Sequence, residues 1–235
     1  MTISILHLSF MALEALDRRF TPALIVIDLQ NDFVSGSLPV PGGAEIVDTV
    51  NRLLDLPFAL KIATKDFHPA NHVSFALRHD LPVFTKATIF HPCDKDRTKG
   101  LEQVLWPAHC VVGTSGANFV PGLNTDNFTA IIHKGVDADI ESYSAFRDIW
   151  HYQNSDLTRV LNKDHVTDVF FVGLAGDYCV KYTALDSVYF GFDTWVVRDA
   201  VRCISDDNIA WDEMEKKGIR FVESAELIAK LTSEA

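Results

Sequence analysis

Apolar runs alternate with amphipathic stretches along most of the chain, and six of these runs have the length and β-branched content of buried strands. They occupy residues 23–27, 60–64, 130–133, 169–172, 194–197 and 219–222. Helical patterns follow four of them, at residues 43–56, 148–163, 179–190 and 209–217. Strands that alternate with helices indicate βαβ units and a parallel sheet. The sequence therefore predicts an α/β fold, a three-layer αβα sandwich around a parallel sheet of about six strands.

Two connections in this pattern are unusually long, residues 68–127 and residues 135–147. The first contains five of the nine histidines of the chain. Long loops in a compact domain usually carry function, so we expect binding residues there.

The size and composition of the chain favour a single domain. With 235 residues, of which 48 % are hydrophobic, the chain can bury one large core. No linker rich in Pro, Gly or Ser interrupts residues 21–235, which we therefore interpret as one domain. Residues 1–20 are interpreted as an N-terminal extension, and the sequence leaves open whether it is flexible.

The charge pattern bears on the partners of the protein. The net charge is −11, and the charged residues are scattered instead of forming a basic stripe. This argues against nucleic acid and anionic membranes as partners and favours a small soluble substrate. No apolar run reaches the roughly 18 uncharged residues of a spanning helix, so we expect no membrane association.

The cysteines bear on the cellular compartment. The four cysteines, Cys93, Cys110, Cys179 and Cys203, are widely spaced and form no CxxC pair. Such spacing is typical of free thiols in a reducing compartment. With no recognised targeting signal, we expect a cytoplasmic protein, while organelle targeting and oligomeric state, including a homo-oligomer, stay open.

Reactive side chains follow four of the predicted strands. These side chains belong to Asp28, Asp66, Lys134 and Cys179. Because ligands bind beyond the carboxyl ends of the strands in an open parallel sheet, we expect these residues to converge.

Three of these residues could form a nucleophilic device. Cys179 lies where a helix is predicted to begin, and the helix dipole there should lower the pKa of its thiol. Asp28 could accept the thiol proton as a general base, and Lys134 could stabilise the charges. Each residue also has an ordinary interpretation. Cys179 could be a packed helix cysteine, Asp28 could cap the following turn, and Lys134 could be a solvated lysine.

Asp66 and His68 lie two residues apart and could ligate a metal from one side of an extended segment. His109 could supply the third ligand of a catalytic zinc-type site. Other loop histidines compete for that position, namely His72, His79 and His91. Phe33, Trp106 and Tyr143 could wall a slot for a flat ring, although loop aromatics also pack the loop itself.

Together, these segments resemble the successive motifs of the nicotinamidases, which belong to the isochorismatase-like cysteine hydrolases. The matching motifs are IVIDLQNDF at 25–33, DFHP at 66–69, LWPAHC at 105–110, HKG at 133–135, YSAF at 143–146 and VGLAGDYCV at 172–180. The resemblance runs in order from Ala23 to Phe221. The pair Gly176 and Asp177 departs from the family pattern, and the departure bears on the pocket shape and the substrate range.

The resemblance implies an isochorismatase-like fold and assigns site residues. The catalytic triad would be Asp28, Lys134 and Cys179. The ligands of one divalent metal ion, usually zinc, would be Asp66, His68 and His109. A cis peptide before Ala175 would help the N–H groups of Ala175 and Cys179 form an oxyanion hole. The pyridine ring would lie among Phe33, Trp106 and Tyr143.

The resemblance also implies an activity. It is the hydrolysis of nicotinamide to nicotinate and ammonia through a cysteine thioester, a step of NAD salvage. Two alternatives stay open. One is a related hydrolase of small substrates such as pyrazinamide or carbamoylated amines, and the other is a non-catalytic member of the family that binds a ligand.

Overall fold

A six-stranded parallel sheet forms the centre of the molecule. The computed structural model describes residues 20–233. The strands, numbered along the chain, are β1 (Pro22–Ile27), β2 (Leu60–Asp66), β3 (Lys86–Phe90), β4 (Gly100–Val104), β5 (Ala130–Lys134), β6 (Asp168–Leu174), β7 (Asp193–Arg202) and β8 (Arg220–Val222). The main sheet has the order β5-β2-β1-β6-β7-β8, and every neighbouring pair is parallel. The predicted fold class and its six strands are confirmed.

Helices cover both faces of this sheet. They are α1 (Asn31–Val34), α2 (Val47–Leu54), α3 (Ala76–His79), α4 (Leu157–Lys163), α5 (Lys181–Tyr189), α6 (Ile209–Lys216) and α7 (Ser224–Ser233), and short 3-10 turns span Gly43–Ile46, Ser115–Ala117 and Thr125–Asn127. Successive side chains of β1 point to opposite faces, so Leu24 packs with α2 and α7, whereas Ile25 packs with α4, α5 and α6. The two cores explain why the strands are almost continuously apolar.

The strand order creates a crevice at one edge of the sheet. From β1 the chain adds β2 and β5 on one side, and then β6, β7 and β8 on the other. The direction of winding therefore reverses between β1 and β6, and a ligand site is expected beyond the carboxyl ends of the strands at that point.

The helix predicted over residues 148–163 begins later than expected, at Leu157. The Asp148 carboxylate accepts hydrogen bonds from three nearby backbone N–H groups, those of Trp150, Tyr152 and Gln153. These local bonds compete with helical ones and hold residues 148–153 as a loop.

Two strands and three helices were not predicted. The strands β3 and β4 form an antiparallel hairpin within the long connection of residues 68–127, which also contains α3. The short helix α1 follows β1, and α7 follows β8. The hairpin has a weak pattern because only Ile89 and Gln103 are buried in it.

The two ends of the chain are only partly described. Phe20, the last residue of the predicted extension, packs edge-to-face on Phe170, and residues 1–19 lie outside the described part. Within residues 20–233, the helices are too short or too polar to cross a membrane.

Candidate active site

The four reactive residues converge at the crevice between β1 and β6. Asp28 directly follows β1 in a left-handed conformation, with φ at 45°. Asp66 and Lys134 are the last residues of β2 and β5. Cys179 lies in a π-helical turn, Gly176–Val180, that joins β6 to α5. The expected convergence of strand ends is therefore observed.

Lys134 lies at the centre of this group. Its Nζ is 2.8 Å from Asp28 Oδ2 and 3.3 Å from Cys179 Sγ, and it also contacts the Asp66 carboxylate. Thr64 Oγ1 donates a 2.6 Å hydrogen bond to Asp28 Oδ1 and orients that carboxylate. Asp28, Lys134 and Cys179 are each at most 5 % exposed. A carboxylate, an ammonium and a thiol thus meet away from water.

Burial determines the protonation of the two groups that could exchange a proton. It raises the pKa of the Cys179 thiol, and Lys134 only partly opposes this. The expectation of a lowered thiol pKa is therefore wrong, because burial outweighs the favourable position before α5. Burial also raises the pKa of Asp28, again against Lys134. A carboxylate with a raised pKa is suited to accept a proton from a neutral thiol.

Asp66 has the opposite balance. Burial alone would raise its pKa, but Lys134 and His68 outweigh burial and hold the pKa well below its usual range. Asp28 and Asp66 also raise the pKa of Lys134 well above normal, although burial acts to lower it. The site therefore contains one carboxylate suited to proton transfer and another that stays ionised.

Beside Lys134, Asp66 faces two histidines whose ring nitrogens are oriented by backbone carbonyls. His68 Nδ1 donates to Gly135 O at 2.9 Å, and His109 Nδ1 donates to Pro107 O at 2.8 Å. Each ring therefore directs its Nε2 lone pair inward, 3.5 Å and 3.7 Å from Asp66 Oδ2. His68 Nε2 is buried and has no hydrogen-bond partner among the described residues.

These three side chains form a group that could hold a metal ion. Oriented histidines whose free lone pairs face inward beside a carboxylate fit a divalent cation. Such a cation would supply the partner that the buried His68 Nε2 lacks among the described residues. The residues present therefore fit a divalent ion.

The competing histidines have their own hydrogen bonds. His72 Nε2 donates to Ile140 O and its Nδ1 bonds the Ser74 hydroxyl. His72 could form a second metal-binding group with His68 and Glu141, but both of its ring nitrogens are engaged. His79 Nε2 donates to Val73 O, and His91 Nδ1 accepts the N–H of Cys93. Of the four candidates, only His109 directs a free nitrogen at Asp66.

The three predicted aromatics lie around the same site. Trp106 Nε1 donates to the Tyr143 hydroxyl at 3.0 Å, so these two rings form one wall. Phe33 packs on the His109 ring with centroids 5.3 Å apart. Tyr178, which we did not predict, contacts both Trp106 and Tyr143. Its position in the motif next to Cys179 was the available signal.

The turn before the nucleophile has the backbone geometry that the resemblance implies. The peptide bond between Leu174 and Ala175 is cis. The N–H groups of Tyr178 and Val180 both donate to Ala175 O, at 3.0 Å and 3.1 Å. Ala175 and Cys179 thus lie in one tight turn at the end of β6.

Two further polar residues support the site and were not predicted. The Gln30 amide donates to Asp66 O and accepts from Asp66 N–H, so it fixes the end of β2. The Asp32 carboxylate accepts the N–H of Cys110 and so holds the loop that carries His109. Both lie in the motif at residues 25–33.

Comparison with known proteins defines the class to which this fold and site belong. Residues 22–226 match the isochorismatase domain model. The chain therefore belongs to the isochorismatase domain family. Within that family it belongs with the nicotinamidases: it is 38 % identical over 213 residues to the nicotinamidase of Saccharomyces cerevisiae, covering 85 % of this chain and 98 % of that protein.

Solved structures agree with this placement. The structure of the yeast nicotinamidase bound to the inhibitor nicotinaldehyde is similar with a TM-score of 0.81 and 36 % identity, covering 86 % of this chain and 99 % of that one. The pyrazinamidase of Pyrococcus horikoshii in complex with zinc is similar with a TM-score of 0.68 and 36 % identity, with the same coverage of 86 % and 99 %.

Proposed function

We propose that this chain hydrolyses nicotinamide to nicotinate and ammonia, with Cys179 as the nucleophile. The observation that carries the proposal is the buried contact of Lys134 with both Asp28 and Cys179, next to the group formed by Asp66, His68 and His109. Similarity to nicotinamidases over most of the chain supports the choice of substrate.

In the first half of the reaction, Asp28 takes the proton of the Cys179 thiol, and the sulfur attacks the carboxamide carbon. The carbonyl electron pair moves to oxygen, and the N–H groups of Ala175 and Cys179 bind this oxyanion. Lys134 stabilises the thiolate. When the oxyanion collapses, the C–N bond breaks and Asp28 returns its proton to the departing nitrogen, so ammonia leaves and a thioester remains.

In the second half, water cleaves the thioester. Asp28 accepts a proton from water, and the oxygen attacks the thioester carbon. The second oxyanion collapses with cleavage of the C–S bond, and Asp28 returns its proton to sulfur. The product leaves as nicotinic acid, which loses its proton to solvent to give nicotinate. The site is then ready for another turnover, with Asp28 serving as base and acid in each half.

Asp66, His68 and His109 would hold one divalent ion, and we propose zinc because two imidazoles and one carboxylate are typical zinc ligands. When bound, the ion supplies a Lewis acid for the pyridine nitrogen. Phe33, Trp106 and Tyr143 hold the ring flat and keep water away from the reacting carbon.

This activity would be a step of NAD salvage, in a reducing compartment that keeps Cys179 as a thiol. The test is ammonia release by the purified protein with nicotinamide, compared with pyrazinamide, benzamide and a carbamoylated amine. We expect nicotinamide to give a far higher kcat/KM than benzamide, which lacks the ring nitrogen. A preference for the carbamoylated amine would indicate the related hydrolase, and no ammonia from any substrate would indicate a ligand-binding protein.

A further inference from the structure

The turn that carries the nucleophile is attached to a distant segment of the chain. This turn, Gly176–Val180, follows β6, and the segment at residues 203–205 follows the end of the neighbouring strand β7. The contacts come from Gly176 and Asp177, which lie between the cis peptide and Cys179.

Asp177 makes the polar part of the attachment. One carboxylate oxygen accepts the N–H of Ile204 at 3.0 Å, and the other accepts the N–H of Ser205 at 2.8 Å. Hydrogen bonds to an ionised carboxylate are stronger than neutral ones, and using both oxygens fixes the orientation of the group. Asp177 is therefore held by two consecutive peptide groups.

Gly176 makes the apolar part. A Cβ built on Gly176 would lie 2.5 Å from Cys203 Sγ and 2.8 Å from Val201 Cγ1. Real side chains do not approach so closely, so the turn packs its bare backbone against the end of β7. Two adjacent residues thus fix the turn from one side.

We propose that Asp177 is a positioning residue for the proposed hydrolysis, on which this inference rests. It holds the turn so that the sulfur of Cys179 and the N–H groups of Ala175 and Cys179 face the reacting carbonyl. The oxyanion exists only after attack, so misplacement of the turn weakens transition-state binding more than it weakens substrate binding. The loss should therefore fall on kcat. Its expected size is about 100-fold, because a displacement of about 1 Å can reduce the rate by that factor.

The ring-binding residues make the expected effect selective. Phe33 lies in α1, and Trp106 and Tyr143 lie in loops outside the turn. The turn contacts these last two rings through Tyr178, whereas Asp177 makes its two bonds on the side of β7. A variant that loses these bonds should therefore lose much less affinity for nicotinamide and nicotinate than activity. The same variant should bind nicotinaldehyde weakly, because the aldehyde adduct uses both the sulfur and the oxyanion hole.

The experiment compares Asp177→Ala, which removes both bonds, with Asp177→Asn, which retains one acceptor oxygen. Asp207→Asn is the matched control, since it removes one negative charge just after residues 203–205. Asp207 accepts hydrogen bonds from the Ser205 hydroxyl and from the N–H of Ile209. For each protein we measure kcat and KM for nicotinamide, the Kd of nicotinate and the inhibition constant of nicotinaldehyde.

We expect kcat to fall about 100-fold in Asp177→Ala and less in Asp177→Asn, with KM and the Kd of nicotinate changing far less than kcat and nicotinaldehyde weakened in parallel with kcat. Asp207→Asn should match the wild type. Unchanged kcat in both Asp177 variants, or equal losses in kcat and nicotinate binding, would overturn the proposal. If Asp177→Ala does not fold, the Asn variant decides. Failure of the proposed function would appear in the wild type itself, as absence of ammonia release.

Discussion

Lys134 compensates the charges of the site. It contacts two carboxylates and a thiol, and all of these groups are buried. A buried ion costs several kcal/mol unless it is paired, so the ammonium is needed to keep Asp28 and Asp66 in the interior. In the proposed mechanism, the same contact would place a positive charge where the thiolate forms. One side chain would then serve both folding and chemistry.

Replacing Cys179 with Ala should abolish turnover while the fold and ring binding persist, because only the sulfur is removed. We expect ammonia release to fall by several orders of magnitude, with the Kd of nicotinate unchanged by calorimetry. Substantial residual activity would instead place the nucleophile elsewhere. Cys110 would be the next candidate, although burial raises the pKa of its thiol strongly.

Asp28→Asn and Lys134→Met should each also reduce kcat by several orders of magnitude. Because the three groups act together in the proposed mechanism, adding Cys179→Ala to either variant should reduce activity little further. Lys134→Met should in addition lower the free energy of unfolding by about 3–5 kcal/mol, since it leaves buried carboxylates without their cation. Kinetics and urea denaturation measure the two effects. Additive losses in kcat would contradict the proposal that Asp28, Lys134 and Cys179 act together.

His68→Ala, or removal of divalent ions with a chelator, should raise KM for nicotinamide at least about tenfold, because the ring loses its orienting partner. Benzamide has no ring nitrogen, so its KM should change much less. Metal analysis of the purified protein provides a second readout. Active protein with only traces of divalent ion would refute this role for Asp66, His68 and His109.

At the scale of elements, periodicity was sufficient for the main sheet and insufficient for the loops. The four inner strands β1, β2, β6 and β7 are mostly buried on both faces, so their apolar runs are strong signals. The edge strands β5 and β8 are partly exposed, but their short apolar runs were still sufficient. The hairpin β3–β4 buries few residues, and its pattern is correspondingly weak. The late start of α4 depends on hydrogen bonds to one side chain, that of Asp148. The sequence alone does not show whether an aspartate at this position caps a helix or holds a loop.

The candidate site shows the same division. Residues at strand ends could be predicted because the fold class brings those ends together. The roles of Gln30 and Asp32 depend on partners more than 30 residues away, at Asp66 and Cys110. Local pattern carries no information about such bonds. The raised pKa of Cys179 likewise depends on burial that appears only after the chain has folded.

The loop that begins at Asp148 offers a test at this scale. Asp148→Ala removes the acceptor of three N–H groups, and residues 148–153 lose their local order. We expect the free energy of unfolding to fall by about 1–3 kcal/mol, measured from the midpoint and slope of urea denaturation. Asp164→Ala, which removes an exposed carboxylate at the end of α4, should have little effect. Equal stability of the two variants would contradict the role of Asp148.

At the scale of the whole molecule, the site joins parts of the chain that lie on both sides of the switch between β1 and β6. The proposed metal ligands belong to the β2 side, and the nucleophile belongs to the β6 side. A single small ligand that engages both sides should therefore bind far better than one that engages either side alone.

Nicotinaldehyde should be such a ligand. In the proposed site its ring nitrogen would face the residues that would hold the metal, and its aldehyde carbon would accept Cys179 Sγ to form a thiohemiacetal. We expect inhibition at least about 100-fold tighter than by nicotinate, and most of this gain should be lost with benzaldehyde. Inhibition assays with wild type and Cys179→Ala measure this. Equal inhibition by the two aldehydes would contradict orientation of the ring by its nitrogen.

The same strand order has a consequence for synthesis on the ribosome. The buried strand β1 pairs with β2 on one edge and with β6 on the other. Translation reaches β6 about 140 residues after β1, which at about 5–20 residues per second leaves this apolar edge without its partner for roughly 7–28 seconds. An unpaired edge invites aggregation. The nascent chain is therefore most in need of a chaperone before residue 168 emerges.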